Sequence, residues 1–270
     1  MMNKQYYFLV GLPRSGNTLL GAILNQNPKI SVTANSVVPT ILWKLEQEKQ
    51  TNLAVLNFPD YNSYDNILKN VFNNYYDGWN SEIILDRSSW STPNNLELIK
   101  KYCPNKPKFI VLVRDILEVL ASFVKWSEEN PSNFLNYETG NGTVEEKCEF
   151  LMSPSFQIVQ EYSAIHSLFV NTEHFDSLFI TYDELVSDTQ NQLKNIYSFL
   201  NLEEYAHNLN SLEQLSSNGV QYNDKVVGDN LHHVRPQISK VAYSVHDYLP
   251  ESVIKKYSGL SFWSKEAVTA

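Results

Sequence analysis

Tyr6-Tyr7-Phe8-Leu9-Val10-Gly11-Leu12-Pro13-Arg14-Ser15-Gly16-Asn17-Thr18-Leu19-Leu20-Gly21-Ala22-Ile23-Leu24 passes from a short apolar run, through a turn bracketed by two glycines, into a run with helical spacing. A continuous apolar run of this length suits a strand covered on both faces. Gly11 and Gly16 occupy the glycine positions of the phosphate-loop pattern G-x-x-x-x-G-K-[ST], and Thr18 supplies its last residue. Asn17 stands where the lysine would be. An anion cradle survives that change, because the glycines allow close backbone approach and the N–H groups at the helix start can surround a phosphate. What is lost is the cation that reaches the β- and γ-phosphates of a nucleoside triphosphate. Arg14 supplies a cation from inside the loop instead, which suits a ligand with a single 5'-phosphate linkage better than a magnesium-bound triphosphate. Ser15, Gly16, Asn17 and Thr18 are expected to add hydrogen bonds, mainly through backbone amides.

Working outward, residues 82–85, 108–113 and 178–181 are further short apolar runs that read as buried strands beside residues 6–10. Between them, helical periodicity predicts helices over 18–24, 37–45, 94–102, 116–126 and 145–170. Strands alternating with helices imply an α/β fold, with a P-loop-like, mostly parallel sheet flanked by helices in a single domain. Residues 130–142 and 216–229 are polar and read as surface connections, and Lys265–Ala270 are expected to fray. The core is expected over about 1–205, with 206–270 forming a separate C-terminal segment.

Composition narrows the function classes. The chain has 270 residues, 43% hydrophobic, enough for one sizeable core. Its formal net charge of -9 argues against a nucleic-acid or heparin-like surface, but a few local arginines can still hold an anion. The two cysteines, Cys103 and Cys148, show no metal-ligand spacing; they fit a reducing compartment and leave a single disulfide open. The apolar run near the N-terminus is too short for a signal-peptide core, and no stretch reaches the length of a membrane span. A cytoplasmic protein is expected. Glu145 and Glu146 open a helix, where acids favour the positive dipole end, and read as caps rather than metal ligands.

A second anion site follows another strand. Val113-Arg114-Asp115 places an arginine just past a strand's carboxyl end, the edge where open α/β sheets bind ligands. Asp115 suits the N-cap of the next helix, and Ser122 falls two helical turns beyond Arg114. Arg114 and Ser122 together could hold one phosphate.

Leu12-Pro13-Arg14-Ser15-Gly16-Asn17-Thr18 resembles the 5'-phosphosulfate loop of sulfotransferases that use 3'-phosphoadenosine 5'-phosphosulfate (PAPS), and Val113-Arg114-Asp115 with Ser122 resembles their 3'-phosphate motif. Phe179-Ile180-Thr181-Tyr182-Asp183-Glu184-Leu185 is similar to a late strand-to-helix element of the same families. The likeness covers about residues 6–205, and its order and spacing are most similar to the tyrosylprotein sulfotransferase branch. The resemblance implies PAPS as donor, 3'-phosphoadenosine 5'-phosphate (PAP) as product, no metal, and a nucleotide contact from Tyr182. It also implies that the segment 229–236 folds over the nucleotide, with Arg235 where that branch carries a lysine before a proline. Arg87, ending Ile83-Ile84-Leu85-Asp86-Arg87, stands where relatives carry a catalytic lysine; an arginine there acts by charge alone. A plain Asp86–Arg87 surface pair is the alternative.

The chain departs from that branch at its base. The implied glutamate falls in Ser31-Val32-Thr33-Ala34-Asn35-Ser36-Val37-Val38-Pro39, which holds no carboxylate, and Asn35 cannot act as a general base. The base must come from elsewhere. His232 or His233 ranks first because histidine titrates near neutrality, Asp86 second as the neighbour of Arg87, and Asp60 third. The resemblance implies an acceptor that is a small molecule, glycan or peptide carrying a hydroxyl or amine. Segments 31–76 and 127–155 are expected to line its pocket, with Trp43, Phe58, Tyr61, Trp79, Trp126 and Phe134 as candidate aromatics. Two other classes compete: a P-loop kinase for a small metabolite, opposed by the missing lysine, and a non-catalytic binder of 3'-phosphoadenosine nucleotides.

Overall fold

Alternate residues of the first apolar run feed two different cores, which is why the run shows no polar face. In the computed structural model, which describes residues 4–170, 173–226, 230–240 and 243–263, Tyr6, Phe8 and Val10 pack into one cluster while Tyr7 and Leu9 pack into another. Phe8 is fully buried against Phe72, Trp90 and Phe109, and side chains of this size contribute roughly 1.5–3 kcal/mol each on burial. The expectations placed on Asp229 and on Lys265–Ala270 fall outside the described residues.

The run forms β1 (Gln5–Gly11) at the centre of a five-stranded sheet with β2 (Ile30–Val32), β3 (Ile83–Arg87), β4 (Lys108–Val113) and β5 (Asp176–Thr181). The order is β2-β3-β1-β4-β5, and every pairing is parallel. Because β1 lies between β3 and β4, the chain winds to one side of β1 and then to the other. That reversal opens a crevice at the carboxyl ends of the strands. Both anion motifs lie at this edge, the phosphate loop leaving β1 and Arg114 leaving β4.

The α/β architecture expected from the sequence is the one observed. β2 was not legible: it is three residues long and pairs only with β3, too short to show a pattern. The single helix expected over 145–170 is two, Val144–Leu151 and Gln157–Val170, separated by a break that contains Pro154. The polar stretch 130–142 contains a short helix, Phe134–Glu138. Thr143 caps the first of the two helices in a capping box with Glu146, the role expected of that acid. Cys103 and Cys148 are free thiols. Among the described residues, no helix is long and apolar enough to cross a membrane.

Candidate functional site

The loop leaving β1 is shaped by two close approaches. A Cβ on Gly11 would lie 2.6 Å from both the Asn17 Oδ1 and the Leu112 carbonyl oxygen, so only glycine lets β1 meet the helix start there. Gly16, at φ 93°, is the N-cap of helix α1 (Asn17–Leu24), and Arg14 also has positive φ, at 63°. The backbone thus turns twice within the loop. α1 has no side-chain cap and no acid in its first turn, so its leading N–H groups remain for an anion.

Two loop side chains turn inward. The Ser15 hydroxyl donates to the Leu12 carbonyl at 2.5 Å, and Asn17 Nδ2 donates to the same carbonyl at 2.9 Å. Both residues are buried, and the Ser15 amide also donates to the Leu12 carbonyl at 3.3 Å, which leaves the amides at the start of α1, not these side chains, for a ligand.

Three arginines meet beside the loop. Arg14 Nε donates to Ser122 Oγ at 3.1 Å, and its Nη1 donates to the Leu231 carbonyl at 2.5 Å. Arg114 Nη1 donates to the Arg14 carbonyl at 3.0 Å, its Nε pairs with Glu118 at 2.9 Å, and its guanidinium stacks 4.2 Å above the Tyr182 ring. Tyr182 in turn packs beneath Gly16. Ser122 therefore meets Arg14 rather than Arg114 in this arrangement. Arg235 is exposed on the wall of the same cavity, where it donates to Ser239 Oγ at 3.4 Å.

Arg87 closes the opposite side. Its Nη1 donates to the Ala34 carbonyl at 2.5 Å and to the Tyr222 hydroxyl. Burial lowers its pKa to about 10, with Glu161 opposing, so it stays charged at neutral pH. The Tyr222 ring stacks on His232 at 3.8 Å with planes 1° apart. Asp224 accepts from the His232 backbone N–H at 2.9 Å and lies 2.6 Å from its Nδ1. Burial pushes the His232 pKa down, and Asp224 pulls against it. These contacts clasp the segment carrying Tyr222, Asp224 and His232 onto the loop after β2. His233 is exposed on the same wall.

Arg14, Arg87, Arg114, Thr18, Tyr182 and Arg235 all line one cavity of about 660 Å³, within the ordinary range for a small-ligand site. Asn35, His232 and His233 line it too, as do Phe123, Phe134 and Phe156. Of the six aromatics expected around an acceptor, only Phe134 is on this wall. Phe58 and Tyr61 project into solvent at 77% and 42% exposure, and Trp126 lies behind Phe134 at a ring separation of 5.5 Å.

Two expected bases are placed elsewhere. Asp86 points to the face of the sheet opposite Arg87, fully buried, and accepts from Tyr76 at 2.6 Å, Trp90 at 2.9 Å and Ser36 at 3.0 Å. Burial raises its pKa to about 6, but all three donors are themselves buried and its side chain is not on the cavity wall. The surface Asp86–Arg87 pair is likewise absent, because successive strand residues face opposite ways. Asp60 is an exposed N-cap that accepts from the Ser63 N–H.

A carboxylate not singled out from the sequence lies close by. Glu161, on helix Gln157–Val170, is 4% exposed and accepts from Ser89 Oγ, and from Ser91 Oγ at 3.5 Å. Burial raises its pKa to about 7, opposed by the two serines and by the charge of Arg87. The signal that could have found it is positional: Glu161 interrupts the buried stripe of Ile158, Ala164, Ile165 and Leu168. Among the described residues, no three His, Cys, Asp or Glu side chains gather to hold a metal ion.

The pattern that defines the sulfotransferase family matches residues 7–207. No curated protein matches the chain in a direct comparison. Solved structures similar to it include the sulfotransferase domain from the curacin biosynthetic pathway, 17% identical with a TM-score of 0.56, covering 96% of this chain and 98% of that one. Mouse sulfotransferase SULT7A1, determined in complex with PAP, is 15% identical with a TM-score of 0.57, covering 98% of this chain and 87% of that one. At these identities the structures establish a shared fold.

Proposed function

The chain belongs to the sulfotransferase family, and from that premise we propose that it transfers a sulfuryl group from PAPS to a hydroxyl or amine of an acceptor, releasing PAP. The observation that carries the reading is the convergence of Arg14, Arg87, Arg114 and Arg235 on one cavity, at the uncapped start of α1, in a chain of net charge -9. Four fixed cations around one cavity of an acidic protein call for a ligand with several negative charges. The 5'-phosphosulfate and 3'-phosphate of PAPS supply them.

In this reading the backbone amides of residues 16–18 hold the 5' side of the donor. Arg14 balances the charge that builds on the leaving phosphate as the bond to sulfur breaks. Arg114, Ser122, Tyr182 and Arg235 form the 3'-phosphate side, and Arg87 adds charge from across the cavity. The core extends over about 1–205, and the segment from about 206 caps the nucleotide, with Tyr222, Asp224 and His232 clasping it shut. Phe123, Phe134 and Phe156 suit an acceptor with an apolar body behind its reacting group. His232 is assigned to the wall of the nucleotide chamber, where the clasp holds its ring face and Nδ1 and leaves Nε2 for the nucleotide.

The test is titration calorimetry of PAP without metal, on the wild type beside Arg14→Ala and Arg114→Ala. Hydrogen bonds to charged groups contribute roughly 1.5–3 kcal/mol, so each substitution should weaken binding by at least about tenfold. A wild type that does not bind PAP refutes the reading. Binding that is unchanged in both variants refutes the placement of the donor.

A further inference from the structure

The sulfuryl acceptor must lose a proton, and this inference rests on the sulfotransfer reading above. Asn35 carries no basic group, Asp86 is sealed on the other face of β3, Asp60 is an exposed helix N-cap off the cavity wall, and His232 and His233 belong to the segment that carries Arg235 on the nucleotide side of the cavity. Toward the wall formed by Phe156 and Gln157, the carboxylate beside Arg87 is that of Glu161. It is as buried as Asp86, but its partners differ in a way that matters. Asp86 is enclosed by Tyr76, Trp90 and Ser36, all buried. Glu161 is bonded instead to Ser89, which is only half-buried and lies two residues past Arg87, the last residue of β3. The Ser89–Glu161 bond joins the two elements that supply Arg87 and Gln157 to the cavity wall. Gln157 lies one helical turn before Glu161, on the same face of its helix.

We propose that Glu161, acting through the hydroxyl of Ser89, is the proton acceptor for sulfuryl transfer. The acceptor's oxygen attacks sulfur, forming the new O–S bond as the bond from sulfur to the 5'-phosphate oxygen of PAPS breaks and leaves with PAP. The acceptor's hydroxyl proton moves to Ser89 Oγ while the proton of Ser89 moves to Glu161. The carboxylate ends the step as a carboxylic acid and later returns its proton to water. A serine can do this because its hydroxyl both donates and accepts. The charged group facing Glu161 is Arg87, from the end of β3; Ser89 and Ser91 present only hydroxyls. Arg87 holds the carboxylate's proton affinity below what burial alone would set, leaving it able to accept near neutral pH.

Two measurements on the full chain test this. PAP binding by calorimetry is compared with PAP release from PAPS, using a simple phenol and a primary alcohol as acceptors, for the wild type, Glu161→Gln and Ser89→Ala. Glu161→Gln should bind PAP within about twofold of wild type and release PAP about 100-fold more slowly or worse, the usual range for loss of a general base. Ser89→Ala should bind PAP normally and lose at least about tenfold. The wild-type rate should rise with pH up to about pH 7, the value to which Glu161 is raised, and this limb should vanish in Glu161→Gln. Turnover by Glu161→Gln within about threefold of wild type, with the limb intact, overturns the proposal while leaving the donor reading standing. PAP binding with no release by the wild type on either acceptor also overturns it. A wild type that does not bind PAP sinks the sulfotransfer reading itself.

Discussion

Replacing Glu161 by glutamine should make the protein more stable at neutral pH even as it slows turnover. Burial moves this carboxyl from 4.5 to about 7. At about 1.4 kcal/mol per tenfold change in proton affinity, the folded state forfeits about 3 kcal/mol wherever the group must be ionised. The sign follows from the direction of the shift. A group whose folded-state pKa is raised contributes its stability below the unfolded value, and that contribution is lost as pH rises through the folded value. Wild type should therefore weaken relative to Glu161→Gln across pH 4.5 to 7, with the gap growing by about 2 kcal/mol between pH 5 and 7 and levelling above pH 7. Glutamine can keep both contacts, because its carbonyl accepts from Ser89 and the Ser91 hydroxyl can rotate to accept from its amide. Asp86 also titrates in this window, raised to about 6, but it is present in both proteins and cancels in the difference. Urea denaturation of the two proteins at pH 5, 6, 7 and 8 reads the gap directly. A gap that does not change with pH, or a variant less stable at every pH, would refute the argument. It would mean that Arg87 and the serines hold the carboxylate ionised throughout, and a base poised near neutrality would go with it.

Gly11→Ala should disturb the loop, because the added Cβ meets the Leu112 carbonyl oxygen at 2.6 Å and backbone cannot yield cheaply. A loss of roughly 1–3 kcal/mol is expected, with PAP affinity falling in calorimetry as α1 is pushed away; an unchanged melting temperature and affinity would contradict the close approach. Asp86→Asn should keep turnover within about twofold per folded molecule, since its side chain is sealed beneath the sheet, and a hundredfold loss in a variant that still binds PAP would return Asp86 to the list of bases.

The sequence alone determined whatever depends on neighbours along the chain. Continuous apolar runs marked β1, β3, β4 and β5 because both faces of a central parallel strand are buried. Glycines at 11 and 16, a strand before them and a helical run after them specified an anion loop, since that backbone path needs those residues in that order. Asp115 as an N-cap and Glu146 in a capping box were legible for the same reason, each bonding within three residues of itself. Tertiary structure alone decided partners separated along the chain and the faces on which side chains emerge. Asp86 and Arg87 are adjacent in sequence, yet strand alternation sends one beneath the sheet and the other to the cavity. Ser122 meets Arg14 from 108 residues away, and Glu161 meets Ser89 from 72 residues away. A helix's period shows that Glu161 will be buried, but only the packing of that helix against the end of β3 sets which hydroxyl and which cation it will face. That packing is what separates a buried acid that only weakens the fold from one placed to take a proton.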